Sequence, residues 1–151
     1  MRALIQRVTG ARVLIDRKTV GQIGKGMVVF LGVGKSDNQT DIEIIVRKIP
    51  QLRIFDDNQG KMNLSLRDVQ GAILLISQFT LYGNCRRGLR PSYDEAAAPE
   101  NAQRMYELVS QKLRDQNVTM AEGIFGAMMQ VELCNDGPVT ILLDSKERGH
   151  S

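Results

Sequence analysis

Gly26-Met-Val-Val-Phe-Leu-Gly-Val33 is the stretch on which the fold turns. It carries no charge, and its apolar, partly β-branched residues between glycines read as one continuous buried strand. It is far shorter than the roughly 18 apolar residues a membrane-spanning helix needs. Upstream, residues 2–8, 11–16 and 19–24 are short strand-like runs punctuated by Gly10, Arg17-Lys18 and Gly24, so the chain opens β-rich.

Downstream comes a helix. Thr40-x-x-Glu43 fits a capping box, and Ile42, Ile45, Val46 and Ile49 recur at the helical spacing. Pro50 ends or kinks it. Residues 52–55 and 61–64 are short extended pieces either side of Asp57–Gly60. The neighbouring carboxylates Asp56-Asp57 pass for paired acids but fit turn chemistry better, with Gly60 available for positive φ. Residues 72–82, Ala-Ile-Leu-Leu-Ile-Ser-Gln-Phe-Thr-Leu-Tyr, read as a central strand that turns polar near its end. A loop rich in Gly, Arg and Pro covers 83–98.

A second amphipathic helix spans about 99–116, with Pro99 in its first turn and Ala102, Met105, Tyr106, Val109 and Leu113 on its apolar face. Lys112 and Arg114 suit its C-terminal dipole. Strands near 118–122, 127–134 and 139–144 close the chain, the last two joined through Asn135-Asp-Gly-Pro138 as a tight turn. Strands outnumber helices and the order is mixed. The expected fold is α+β: a single domain of curved, barrel-like mixed β-sheet with two flanking helices.

Composition narrows the function classes. At 151 residues the chain is one domain long and needs no disulfide or metal to hold a core. Its two cysteines, Cys85 and Cys134, make no disulfide framework, and Arg7 interrupts the only N-terminal apolar run, so no signal peptide is read. The expectation is a soluble, reduced, cytoplasmic protein without a membrane span. A net charge of +3 and an excess of arginine over lysine, 13 to 7, permit an RNA partner without requiring one.

The usual catalytic equipment is missing. The single histidine, His150, sits beside the C-terminus and reads as a tail residue, which disfavours histidine-based catalysis and histidine-bound zinc. Gly32-Val-Gly34-Lys35-Ser36 suggests a phosphate loop, but Val29 stands where its first glycine belongs. Asp37 likewise stands where a dinucleotide fingerprint needs its third. No metal, nucleotide or other cofactor is expected.

Two segments remain. Ser77-Gln78-Phe79-Thr80 puts polar groups at the end of the most apolar strand, where they find backbone partners or face a cleft. Asn135-Asp-Gly-Pro-Val-Thr140 is a turn sequence, yet its X-Pro bond and Gly137 also suit a strained corner. Local physics leaves both undecided.

In this order and about 55 residues apart, Ser-Gln-Phe-Thr and Asn-x-Gly-Pro-Val-Thr resemble the two hallmark motifs of the D-aminoacyl-tRNA deacylases. The resemblance runs from Met1-Arg-Ala-Leu-Ile-Gln-Arg-Val8 to the last strand. It implies a homodimer that hydrolyses the ester between a D-aminoacyl group and the 3′-terminal ribose of tRNA. Ser77, Gln78, Phe79 and Thr80 of one subunit would form the catalytic segment and meet Gly137-Pro138 of the other. That Gly-Pro bond is expected to be cis, with its backbone rejecting L side chains of any identity. Glycine, having no side chain to clash, is expected to leak through. By the same resemblance Arg7 braces the Gly-Pro element; its spacing alone reads as a surface strand arginine.

Arg86, Arg87 and Arg90 are candidates for tRNA backbone contact, and a solvated basic loop is the bland alternative. Phe125 is a candidate to stack on the terminal adenine, with core packing as its alternative. A non-catalytic RNA-binding module and a small esterase using Thr80 as nucleophile are the rival readings.

Overall fold

The computed structural model describes residues 1–147; His150 lies outside them. The strands are β1 (Arg2–Ile15), β2 (Lys18–Ile23), β3 (Gly26–Gly32), β4 (Phe55–Asp56), β5 (Met62–Leu64), β6 (Ala72–Ser77), β7 (Thr119–Glu122) and β8 (Gln130–Asp144). The helices are α1 (Gln39–Lys48) and α2 (Pro99–Asp115), with 3-10 turns at Ile49–Gln51 and Phe79–Tyr82.

β1 is the spine of the sheet. One edge pairs antiparallel with β3 through Arg2–Val8 and with β2 through Ala11–Ile15, while the other edge pairs with β8. β6 adds in parallel to β3, and β7 in parallel to β6. Curvature brings β2 back to β7: a Cβ on Gly21 would lie 2.5 Å from the Glu122 carbonyl oxygen. The result is the expected α+β fold, a nearly closed mixed barrel with two helices against it. β4 and β5 form a separate two-stranded hairpin.

The continuous apolar runs of β3 and β6 have a direct cause: both of their faces are covered. Met27, Val29, Leu31, Ile73 and Leu75 pack under the helices with Ile42, Ile45, Met105 and Val109. Val28, Leu74 and Ile76 point the other way, into the barrel, with Val8, Ala11, Val13 and Ile23. Gly10 does not end the first strand as expected. Val8 and Gly10 face consecutive β8 residues, Asn135 and Cys134. This bulge changes the side-chain phase, so that Val8, Ala11 and Val13 share one face.

Two further boundaries differ from expectation. α1 is capped two residues earlier, by Asn38, whose side chain accepts from the Thr40 N–H at 2.9 Å while Asp41 accepts from the Asn38 N–H at 2.8 Å. Asp41 wins over Glu43 because burial of its carboxylate adds partners that the exposed Glu43 lacks. The helix ends ahead of Pro50, which sits in the following 3-10 turn.

At the other end of the chain, residues 135–138 are not a hairpin turn. Both halves of β8 pair antiparallel with β1, so the chain never reverses. Instead Thr140 faces Gln6 and Asn135 faces Val8, and the surplus residues bulge outward. The Asn135 amide closes the mouth of this bulge, donating to the carbonyls of Arg7 and Val139 at 3.0 and 3.1 Å.

Candidate active site

The central strand is shorter than the 72–82 run. β3 ends at Gly32, so the last ladder-like bond available to β6 is Gln78 N–H to Leu31 C=O at 2.8 Å. With no partner strand beyond, the chain curls into the 3-10 turn Phe79–Tyr82, closed by Gly83 N–H on Thr80 C=O at 2.9 Å. Ser77 and Gln78 are half-buried, whereas Phe79 and Thr80 are exposed. The Phe79 ring meets Tyr93 edge-on at 5.0 Å. The Gln78 side-chain amide donates to the Thr80 hydroxyl. That partner is a donor and accepts no proton, so the Thr80 hydroxyl has no base in it. As the first residues of the turn, Phe79 and Thr80 have backbone N–H groups with no acceptor inside it.

A group of residues that sequence reasoning missed holds this turn from behind. Arg2 donates to the Leu81 carbonyl and to Asp144, each at 3.0 Å, and its guanidinium lies 4.6 Å over the Tyr82 ring. The Tyr82 hydroxyl donates to Asp37 at 3.3 Å. Burial foremost, with Asp37 and Asp144 nearby, pushes the Tyr82 phenol well above its ordinary value and keeps it protonated. No local sequence pattern announces this set, because its members come from both ends and the middle of the chain.

The Gly-Pro segment is built differently. Gly137 and Pro138 are exposed at the crest of the β8 bulge, and Gly137 has φ +106°. Beneath them lies Arg7, only 5% exposed despite its place in a strand. Its Nε donates to the Asp136 carbonyl at 3.1 Å and its Nη1 to the Ile54 carbonyl at 2.7 Å. Asp56 and Asp136 each place a carboxylate oxygen 3.3 Å from the guanidinium. Gly137 packs so closely that a Cβ there would lie 2.3 Å from Nη2.

The expected cis bond at Gly137-Pro138 is absent: every peptide bond among the described residues is trans. Trans is the lower-energy X-Pro isomer by about 0.5–1 kcal/mol, and the open crest of the bulge accommodates it.

One chain does not bring the two motifs together. Ser77 is laddered to Leu31, Leu31 to Ala3 and Ala3 to Leu143. Those are three steps of about 4.8 Å, and Gly137 lies a further four residues along β1 at about 3.3 Å each. The separation along the sheet is roughly 20 Å on these spacings.

Arg86, Arg87 and Arg90 are exposed on a loop pinned at its base by the Asn84–Ser92 bridge. No carboxylate among the described residues pairs with them. Arg86 lines a cleft of about 550 Å³ with Arg2, Tyr82 and Glu95. Phe125 is half-buried against the core, its ring 6.1 Å from that of Tyr106, whose hydroxyl donates to the Leu75 carbonyl two residues before Ser77. No cluster of potential metal ligands occurs among the described residues. No described helix is long and apolar enough to cross a membrane.

Comparison with known proteins agrees with this architecture. A curated D-aminoacyl-tRNA deacylase from Fervidobacterium nodosum is 62% identical over 147 residues, covering 97% of this chain and 99% of the relative. One of the same name from Geobacter sulfurreducens is 52% identical over 151 residues, covering 100% and 99%. A solved structure described as a c-Myc DNA unwinding element binding protein superposes with a TM-score of 0.90 at 40% identity, covering 95% of this chain and 98% of that one. The family model described as D-Tyr-tRNA(Tyr) deacylase matches residues 4–144. With the match taking in both helices and all of the sheet but the first two residues of β1, the chain belongs to the D-Tyr-tRNA(Tyr) deacylase family.

Proposed function

We propose that this protein is an ester hydrolase that releases D-amino acids from D-aminoacyl-tRNA and spares the L forms, a chiral proofreading step of translation in the cytoplasm. The observation that carries the reading is the Gly137–Pro138 backbone, exposed at the crest of a bulge and held from below by a buried guanidinium. D and L aminoacyl groups differ only by exchange of hydrogen and side chain at one carbon. A fixed backbone edge rejects an L side chain whatever its identity, whereas a side-chain pocket would select among amino acids. Relatives more than half identical over their full length bear the name of this activity.

The site is completed by a second copy in this reading. Ser77–Thr80 and Gly137–Pro138 stand too far apart in one chain, and the outer edge of β8 carries no partner strand among the described residues. A homodimer that sets the bulge of one subunit against the 3-10 turn of the other supplies both halves.

For the chemical step, water attacks the ester carbonyl carbon, the bond to the ribose oxygen breaks, and the ribose oxygen takes up the proton. The adjacent ribose hydroxyl of the substrate activates the water, and the Phe79 and Thr80 N–H groups hold the oxyanion. The bond from Gln78 to Thr80 supports this over attack by the Thr80 hydroxyl. Arg86, Arg87 and Arg90 take phosphates of the acceptor end, and Phe125 borders the terminal adenine. Glycyl-tRNA is accepted in part, because glycine has nothing to clash.

The test is release of amino acid from matched D-tyrosyl-tRNA and L-tyrosyl-tRNA at low enzyme concentration. Rapid loss of the D form alone is expected. Equal loss of both overturns the backbone-edge selection, and binding without any loss overturns the hydrolase.

A further inference from the structure

Asp56 and Asp57 look interchangeable in sequence, as two carboxylates at one turn, but the structure gives them different work. Asp57 runs the turn: its carboxylate accepts from the N–H groups of Gln59 and Lys61 at 2.8 and 3.1 Å. Asp56 faces the opposite way and reaches Arg7, the residue beneath Gly137.

Arg7 is a charge removed from water. A guanidinium has five N–H donors and no means of losing its charge, so it needs fixed acceptors and a counter-charge. Two carbonyls, of Ile54 and Asp136, and two carboxylates, of Asp56 and Asp136, supply them. These partners are not equivalent. Asp136 belongs to the bulge itself, so its contacts travel with the element they hold. Ile54 and Asp56 flank Phe55, and Ile54 and Phe55 are 5% and 1% exposed in the core under the helices. The segment Ile54–Asp56 therefore ties Arg7 to the core, while Asp136 ties it to the bulge.

We infer that Asp56 is a positioning residue for stereochemical selection, acting through Arg7 to set the height and tilt of the Gly137–Pro138 backbone. The inference rests on the function proposed above and adds to it the second anchor of that element. Without the Asp56 carboxylate, the guanidinium keeps only Ile54 C=O on the core side, and the Asp136 carboxylate draws it toward the bulge. Because Gly137 lies directly against Nη2, a shift of the guanidinium moves the backbone edge that an L side chain meets.

The experiment compares rates on D-tyrosyl-tRNA and L-tyrosyl-tRNA for the unsubstituted protein and for Asp56→Ala, Asp56→Glu and Asp57→Ala. The readout is the ratio of the two rates, which a loss of folded protein scales equally on both substrates. Asp56→Ala is expected to lower the D-to-L ratio by up to about fivefold, the upper range for a partly exposed ion pair. Asp56→Glu restores part of the ratio, and Asp57→Ala, in the same hairpin, leaves it unmoved. An unchanged ratio in Asp56→Ala overturns the inference alone, as does an equal fall in Asp57→Ala, which would make the hairpin's general integrity the cause. If the unsubstituted protein fails to distinguish D from L, the functional reading fails and takes the inference with it.

Discussion

Two residues carry opposite kinds of argument. Thr80 has the right atom for a nucleophile and the wrong neighbour, since its hydroxyl is held by the Gln78 amide. Losing a true nucleophile costs on the order of 10⁴-fold or more. Thr80→Ala is therefore expected to keep single-turnover deacylation of D-tyrosyl-tRNA within about tenfold of the unsubstituted protein. A loss of the larger size returns the mechanism to an acyl-enzyme on Thr80. Gly137 has no side chain, and its φ of +106° and its packing against Arg7 leave room for none. Gly137→Ala strains the backbone and displaces the guanidinium together. The expected destabilisation is about 2 kcal/mol, read from the urea midpoint, together with a fall in D-to-L discrimination. The motif around Gly137 was legible in the sequence, but Arg7 was not, other than through resemblance. A lone arginine in a strand looks like a surface residue, and its carbonyl partners lie 47 and 129 positions away.

At the scale of elements, the sequence was most legible where one face or two faces of a segment are buried. The apolar runs of β3 and β6 and the helical spacing of α1 and α2 report that burial directly. Legibility failed where partners outside the segment decide. Residues 135–138 have turn chemistry, but pairing of both flanks with β1 makes them a bulge; Ser77 ends its strand because β3 runs out. The β1–β2 connection shows what local chemistry does fix. Ile15 pairs with Lys18, and Asp16 and Arg17 have φ of 48° and 65°, the two-residue turn that favours Asp-Gly. Asp adopts this conformation at little cost, whereas Arg pays a steric penalty for it. Arg17→Gly is expected to stabilise the protein by about 0.5–1 kcal/mol, raising Tm by about 1–4 °C in a calorimetric scan. The arginine loop gives an element-scale prediction of function. Replacing Arg86, Arg87 and Arg90 together by Gln should flatten the dependence of log KM for tRNA on log salt. The slope should fall by up to about 0.7 for each single-strand phosphate that the loop neutralises. An unchanged slope removes the loop from the tRNA path.

The molecule as a whole is tied together at a buried ionic cluster where the first and last strands end. The Met1 ammonium contacts Asp37 at 2.7 Å and the Ser145 hydroxyl at 2.6 Å, and the Ser145 N–H donates to the Met1 carbonyl. Ser145 and Lys146 in turn donate to the two oxygens of Asp41, at 2.6 and 2.8 Å, so the α1 cap is held by the turn that follows β8. Burial alone would raise the Asp41 carboxyl. The bonds from Lys146, Ser145 and the Asn38 N–H, with the Met1 charge, outweigh it and lower the group to about 2. An unfolded aspartate titrates near 3.9, so the folded state binds its proton less readily. The stability this contributes is fully present above about pH 5 and is lost as pH falls through about 4 to about 2. A difference of about two pH units corresponds to roughly 2.5 kcal/mol. Asp41→Asn cannot titrate, so the gap between the unsubstituted protein and this variant should be widest at pH 7 and narrow by about 2 kcal/mol towards pH 2. Urea unfolding of the pair at pH 7, 4 and 2.5 measures it. A gap that stays constant across that range would mean that Asp41 holds the cap by hydrogen-bond shape alone and that its charge does not stabilise the junction of β1 and β8.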